Sequence, residues 1–285
     1  SKEGIMHISM GFVNPGDEVL VPDPGYPTYS SVTSLVGGII RTYALDEKSG
    51  WQPDLDALEK EDLRRVKLMW TNYPNMPTGA PGSPGLFSRL VTFAREHNIL
   101  LVNDNPYSFI LNNEYHSLLS VKGAMDTALE LNSLSKSHNM AGWRIGMVAG
   151  CSEYIKTILK VKSNMDSGMF LPMQLAAAEA LQNPESWYDT VNLTYRERRV
   201  KAEAIMDLLG CRFNAEQTGL FLWGRLPDGS PGAEPFVENI LQKAHVFLTP
   251  GFIFGSRGEG YIRISLCATG ERLEEARQRI EKLKL

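Results

Sequence analysis

A lysine that performs covalent chemistry has to be drawn out of bulk water, and Lys136 is placed where that can happen. It sits in Ser133-Leu134-Ser135-Lys136-Ser137-His138, directly after the apolar run Ala128–Ser133 and amid small and polar residues. Lysine is ordinarily a solvated surface residue. Desolvated, its amine has a lowered pKa and can form an imine with an aldehyde. Shortly afterwards comes Gly142-Trp143-Arg144-Ile145-Gly146, where Arg144 offers the forked donor that suits a phosphate. The spacing of serine, lysine and arginine makes this the most specific segment in the chain.

Four further segments carry polar groups in similar settings. Asn103-Asp104-Asn105-Pro106-Tyr107 follows the apolar run Ile99–Val102, and an acid at the end of a buried strand is costly without a partner. A protonated pyridine nitrogen would be such a partner; capping of the next turn is the plainer reading. Pro22-Asp23-Pro24-Gly25-Tyr26-Pro27-Thr28-Tyr29 is a rigid turn whose Tyr26 could stack on a flat ligand. Asn72-Tyr73-Pro74-Asn75-Met76-Pro77-Thr78-Gly79 is a second rigid turn dense in polar groups. Ser1-Lys2-Glu3-Gly4 resembles a helix opening, whose hydroxyl and free N–H groups can hold a phosphate. Taken alone, the two turns and the helix opening read as ordinary turn and capping chemistry.

The elements that must position these residues follow from periodicity. Strands are predicted at Glu18–Val21, Ile39–Tyr43, Val66–Trp70, Ile99–Asn103, Ala128–Ser133 and Arg144–Ala149, and helices at Gly85–Glu96 and Glu153–Lys162. Strands separated by helices imply βαβ units around a mainly parallel sheet sandwiched by helices, an α/β fold whose ligands sit beyond the carboxyl ends of its strands. A charged helical pattern spans Glu185–Leu209, followed by strand-like runs at Leu220–Trp223 and Tyr261–Ser265. The closing helix aligns Leu273, Ala276, Ile280 and Leu283 in one apolar stripe. The expected division is a large α/β domain over residues 1–195 and a smaller α+β domain over 196–285. No strand or turn precedes the helix opening at Ser1, so further residues are expected upstream.

Composition narrows the function. With 285 residues, 43% hydrophobic and 22% charged, the chain reads as a globular protein with a sizeable core. A net charge of −4 gives no reason to bind nucleic acid or an anionic membrane, and no apolar run approaches the roughly 20 residues of a membrane span. Cys151, Cys211 and Cys267 are odd in number and widely spaced, which argues against disulfides or a metal site and points to the cytoplasm.

In this order the segments resemble the fold-type I pyridoxal-phosphate aminotransferases of class I/II, over nearly the whole chain. Ser1–Gly4, Val13-Asn14-Pro15-Gly16-Asp17, Val19–Tyr26, Ser133–Lys136 with Asn139–Gly146, and Lys162-Ser163-Asn164-Met165-Asp166-Ser167-Gly168 are similar to the LL-diaminopimelate aminotransferase branch. The resemblance implies pyridoxal 5'-phosphate as cofactor, carried by Lys136 as a Schiff base. It implies that Asp104 pairs with the pyridine nitrogen, Tyr107 bonds the ring phenolate oxygen and Tyr26 stacks on the ring. Ser1, Lys2 through its backbone, Ser133, Ser135 and Arg144 would hold the phosphate. Arg263, on the run Tyr261–Ser265, would clamp the substrate carboxylate. The family's second turn has asparagine just before Pro-Thr-Gly; here Met76 stands there, with Asn75 one residue earlier as the possible substitute donor.

The activity implied is transamination between an L-amino acid and a 2-oxo acid by a homodimer, with Lys162–Met169 expected near the partner's site. A carbon–sulfur β-lyase on the same fold begins with the same carbanion and stays open on these residues. A non-catalytic cofactor-binding relative is a further alternative; loss of Lys136 or Asp104 would have favoured it, and both are present.

Overall fold

The computed structural model describes residues 1–283. It opens with helix α1 (Lys2–Phe12), followed by β1 (Glu18–Asp23), α2 (Pro27–Leu35), β2 (Ile39–Ala44), the single turn α3 (Leu55–Leu58), β3 (Val66–Thr71) and α4 (Pro84–Glu96). Then come β4 (Leu100–Asp104), β5 (Ala128–Ser133), the short α5 (Leu134–Ser137), β6 (Gly146–Gly150), α6 (Ser152–Met165), α7 (Leu171–Ala180) and the long α8 (Glu185–Leu208). These strands form one six-stranded sheet in the order β2-β1-β3-β4-β5-β6. All neighbours are parallel except β5 and β6, which are antiparallel.

The strand sequences explain the layering. A sheet covered on both faces needs near-continuous apolar strands, and Val19, Leu20, Leu68, Met69, Trp70, Leu101 and Val102 are all essentially inaccessible. One face carries a core with Leu86, Phe87, Leu90 and Phe93 of α4. The other carries Ile5 and Ile8 of α1, Tyr29 and Val32 of α2 and Ile158 of α6. Gly4 lets α1 lie close to the sheet, since a Cβ there would come within 2.6 Å of the Leu131 side chain.

A second sheet, β7-β8-β10-β9, is antiparallel and is built from β7 (Arg212–Phe213), β8 (Phe221–Arg225), β9 (Thr249–Pro250) and β10 (Tyr261–Ser265). Helix α9 (Ala233–Ala244), α10 (Gly270–Glu281) and the far half of α8 cover it. Leu273 and Ile280 of the predicted stripe are buried there.

The predicted elements are all present, with shifted ends. β1 runs on to Asp23, β3 to Thr71 and β4 to Asp104, because the neighbouring strands keep offering ladder partners. The strand predicted from Arg144 starts only at Gly146. Ala141–Trp143 forms a 3-10 turn, and Arg144 closes it in the left-handed region at φ 53°. No helix is long and apolar enough to cross a membrane among the described residues.

Candidate active site

The carboxyl ends of the adjacent strands β1, β3, β4 and β5 release the segments singled out in the sequence. Parallel pairing points these ends the same way, so loops far apart in sequence meet over one edge of the sheet. They enclose a cavity of about 320 Å³ lined by Ser1, Lys2, Tyr26, Asp104, Tyr107, Ser133, Ser135, Lys136, Arg144 and Arg263. Every residue assigned a role from the sequence is on that lining except Asn75.

Asp104 ends β4 and is 3% exposed. Its Oδ2 accepts a hydrogen bond from the Tyr29 hydroxyl at 3.1 Å, while its Oδ1 is buried with no partner among the described residues. Burial raises its pKa above the ordinary carboxylate range, and the nearby Ser1 amino group and then the Tyr29 bond oppose that rise. Tyr29 is fully buried, stacked on Trp70 at 5.1 Å between ring centres, and its own pKa is driven well up by burial, so the phenol stays a donor. Asn72 donates to the Asp104 carbonyl and, through Oδ1, accepts from the Met76 N–H at 2.7 Å. A carboxylate this well fixed, with one oxygen unspent, suits a cationic N–H donor.

Lys136 lies on α5, directly after β5. Ser133 caps that turn, its Oγ accepting from the Ser135 N–H at 3.2 Å and donating to the Ser135 hydroxyl at 2.9 Å. Ser1 is the N-cap of α1 with its own hydroxyl buried and unpartnered, so both the side chain and the first free N–H groups of the helix are available. Arg144 stands beside them, one guanidinium nitrogen donating to the Ala141 carbonyl at 2.7 Å. Two serines, a helix start and an arginine on one cavity lining offer donors suited to an anion.

Arg263, on β10, also lines the cavity. Its guanidinium carbon lies 4.0 Å from the ring centre of Phe221 and 4.5 Å from that of Phe254, its Nε is buried without a partner, and no carboxylate pairs with it among the described residues. Burial pushes its pKa down to about 10, still charged at neutral pH. Such a cation retains capacity for an anionic guest. Tyr107 is buried nearby, and burial raises its pKa.

Asn75 lies outside the cavity lining, one residue before Met76. Its Oδ1 accepts from the Thr78 hydroxyl at 2.7 Å and the Thr78 N–H at 3.3 Å, while its Nδ2, the donor end, is buried with no partner among the described residues. Met76 itself reaches the cavity. Sequence reading also missed Tyr29, Asn72 and Phe221. Tyr29 lies one helical turn beyond Tyr26 and had a local signal; Asn72 and Phe221 become visible only when separate strands are brought together.

With the geometry in place, comparison with known proteins is informative. The family model for aminotransferase class I and II matches residues 1–280. The chain belongs to this family. The LL-diaminopimelate aminotransferase of Aquifex aeolicus is 42% identical across 100% of this chain and 74% of its own length. That of Desulforudis audaxviator is 44% identical over 98% of this chain and 72% of its own. Among solved structures, apo-BacF from Bacillus subtilis superposes with a TM-score of 0.95 at 33% identity, covering 100% of this chain and 73% of that one. A probable N-succinyldiaminopimelate aminotransferase from Thermus thermophilus gives 0.91 at 32%, covering 99% and 76%. This aminotransferase is therefore a transferase with the expected α/β fold, and its chemistry is transamination.

Proposed function

We propose that this aminotransferase carries pyridoxal 5'-phosphate on Lys136 and moves an amino group between an L-amino acid and a 2-oxo acid, with diaminopimelate as the substrate class. The observation that supports this most is the unpartnered Oδ1 of Asp104, buried in the same cavity as Lys136 and the serine–arginine anion site. A ring bearing a basic nitrogen, an aldehyde and a phosphate would satisfy all three. The substrate class rests on the relatives named as LL-diaminopimelate aminotransferases.

When bound, the cofactor supplies an electron sink for the bond broken at the substrate Cα. Asp104 would keep the ring nitrogen protonated, with Tyr29 fixing the carboxylate. Tyr107 would donate to the ring oxygen, and Tyr26 would pack on the ring face. Ser1, the Lys2 backbone, Ser133, Ser135 and Arg144 would hold the phosphate. Arg263 would orient the substrate carboxylate, and the Lys136 amine would take the proton from Cα and return it.

Two expectations join this reading. Residues 1–195 form the cofactor-binding domain and 196–285 the smaller one. The assembly is a homodimer in the cytoplasm, with Phe170, Leu171, Leu175 and Leu181, all more than half exposed here, covered by the second copy. Light scattering would show a monomer if that is wrong.

The test of the activity is a panel of diaminopimelate, glutamate, aspartate and alanine, each with a 2-oxo acid acceptor. The reading predicts acceptor-dependent amino transfer, fastest with diaminopimelate. Pyruvate and ammonia released without an acceptor would mark a lyase instead.

A further inference from the structure

Helix α8 contributes no residue to the cavity, yet it bonds segments next to Lys136, Tyr107 and Arg263. The turn α5 is only four residues long, too short to hold itself, and Lys136 is its penultimate residue. The Ser137 carbonyl, at the end of that turn, accepts a hydrogen bond from the Trp187 indole N–H at 3.1 Å. The next residue, His138, is 6% exposed. Its Nδ1 lies 2.8 Å from the Ser137 hydroxyl and its Nε2 lies 3.1 Å from the Tyr188 hydroxyl. Burial lowers the His138 pKa, which favours a neutral ring with one donor and one acceptor nitrogen, and that completes a chain Ser137–His138–Tyr188.

One turn further along α8, Asn192 grips the loop that carries Tyr107. Its Nδ2 donates to the Phe109 carbonyl at 3.0 Å and its Oδ1 accepts from the Leu111 N–H at 2.8 Å. Leu111 is held in the left-handed region at φ 47°. The loop is a closed turn whose first residue is Tyr107, since the Ile110 N–H donates to the Tyr107 carbonyl at 3.0 Å. Tyr188 serves both arms, for its ring also stacks on Phe109 at 5.0 Å and 26°. Beyond them, Arg198 donates to the Leu266 carbonyl at 3.1 Å, next to the end of the strand bearing Arg263.

We propose that Tyr188 and Asn192, with Trp187, are positioning residues of the transamination reaction: α8 acts as a rigid rod that fixes the Lys136 turn and the Tyr107 loop relative to each other. A helix is stiff over this distance, whereas the loops it holds are short and irregular. The inference rests on the cofactor reading for what Lys136 and Tyr107 do.

The test uses the cofactor-loaded protein and the variants Tyr188→Phe, which keeps the ring stacking, and Asn192→Asp, which keeps the acceptor and loses the donor. Each is expected to lower kcat roughly tenfold, the effect of one lost hydrogen bond placed badly for the transition state, with the KM for amino acid nearly unchanged. Each is also expected to move the midpoint of the absorbance titration of the lysine-bound cofactor while the cofactor stays bound. A merely structural helix would give variants with a lower melting temperature but wild-type kcat and titration midpoint in the folded protein, and that result would overturn the proposal. Failure of the wild-type protein to fix any cofactor at lysine would instead overturn the reading on which it rests.

Discussion

The Met76 sulfur stands 3.3 Å from a guanidinium nitrogen of Arg263. A thioether is a weak acceptor and cannot donate, so the residue at the family's asparagine position adds a soft contact to the arginine and no hydrogen bond to a ring oxygen. On the proposed cofactor reading, Tyr107 would be the donor to that oxygen. Met76→Asn would add a second donor beside the ring oxygen of a bound cofactor and favour its ionised form. The absorbance titration of the lysine-bound cofactor should shift to lower pH by somewhat under one unit, as a bond worth about 1 kcal/mol implies. A shift to higher pH would contradict the assignment of this position.

The Asn75 Oδ1 is held by Thr78, which braces the turn, while its Nδ2 is buried with no partner among the described residues. Asn75→Ala should leave that titration in place and lower stability by about 1–2 kcal/mol through the two lost bonds, read from denaturant unfolding. A raised titration midpoint with unchanged stability would restore Asn75 as a donor to the cofactor.

Burial raises the Asp104 pKa; the Ser1 amino group and, less strongly, the Tyr29 hydroxyl oppose that rise. The Tyr29 bond lowers the Asp104 pKa, so Tyr29→Phe should raise that pKa. The ionised form needed to hold a ring proton is then lost at higher pH as acid is added, and the acidic limb of the activity profile moves upward. In the cofactor-free protein the sign of the stability effect is opposite to that of an ordinary ion-paired carboxylate. A pKa raised on folding contributes stability that is present below the unfolded value and is lost as pH rises through the raised one. Asp104→Asn should therefore raise the melting temperature of the cofactor-free protein at neutral pH while lowering turnover at least tenfold. A destabilised cofactor-free variant would count against a net cost of burying the Asp104 charge.

Arg263 should matter to substrates and hardly to the cofactor. Arg263→Ala removes a charge-assisted contact worth about 1.5–3 kcal/mol, so KM for both amino and oxo acid should rise roughly tenfold to a hundredfold with cofactor retention unchanged. Unchanged KM values would rule the role out.

Much of this site is legible in the sequence because its residues follow strand ends. Asp104, Lys136 and Tyr26 each come just after an apolar run or within a rigid turn, and parallel pairing of β1, β3, β4 and β5 then brings those ends together. Strand ends were less legible, since β4 reaches Asp104 only because β5 supplies a partner at Leu131. The Arg144 region misled for a local reason: Trp143 and Ile145 look strand-like, but the chain turns through a left-handed residue between them. Tyr188 and Asn192 left no trace, for their partners lie roughly 50 and 80 residues earlier and nothing in a polar helix announces them.

Lys136 is the proposed point of attachment for the cofactor. The direct measurement is borohydride reduction of the purified, cofactor-loaded protein followed by peptide mapping, alongside Lys136→Ala treated in the same way. The account predicts a yellow protein, label on the peptide containing Lys136 alone, and neither fixed label nor turnover in Lys136→Ala. Label on another lysine, or full turnover in the variant, would contradict it.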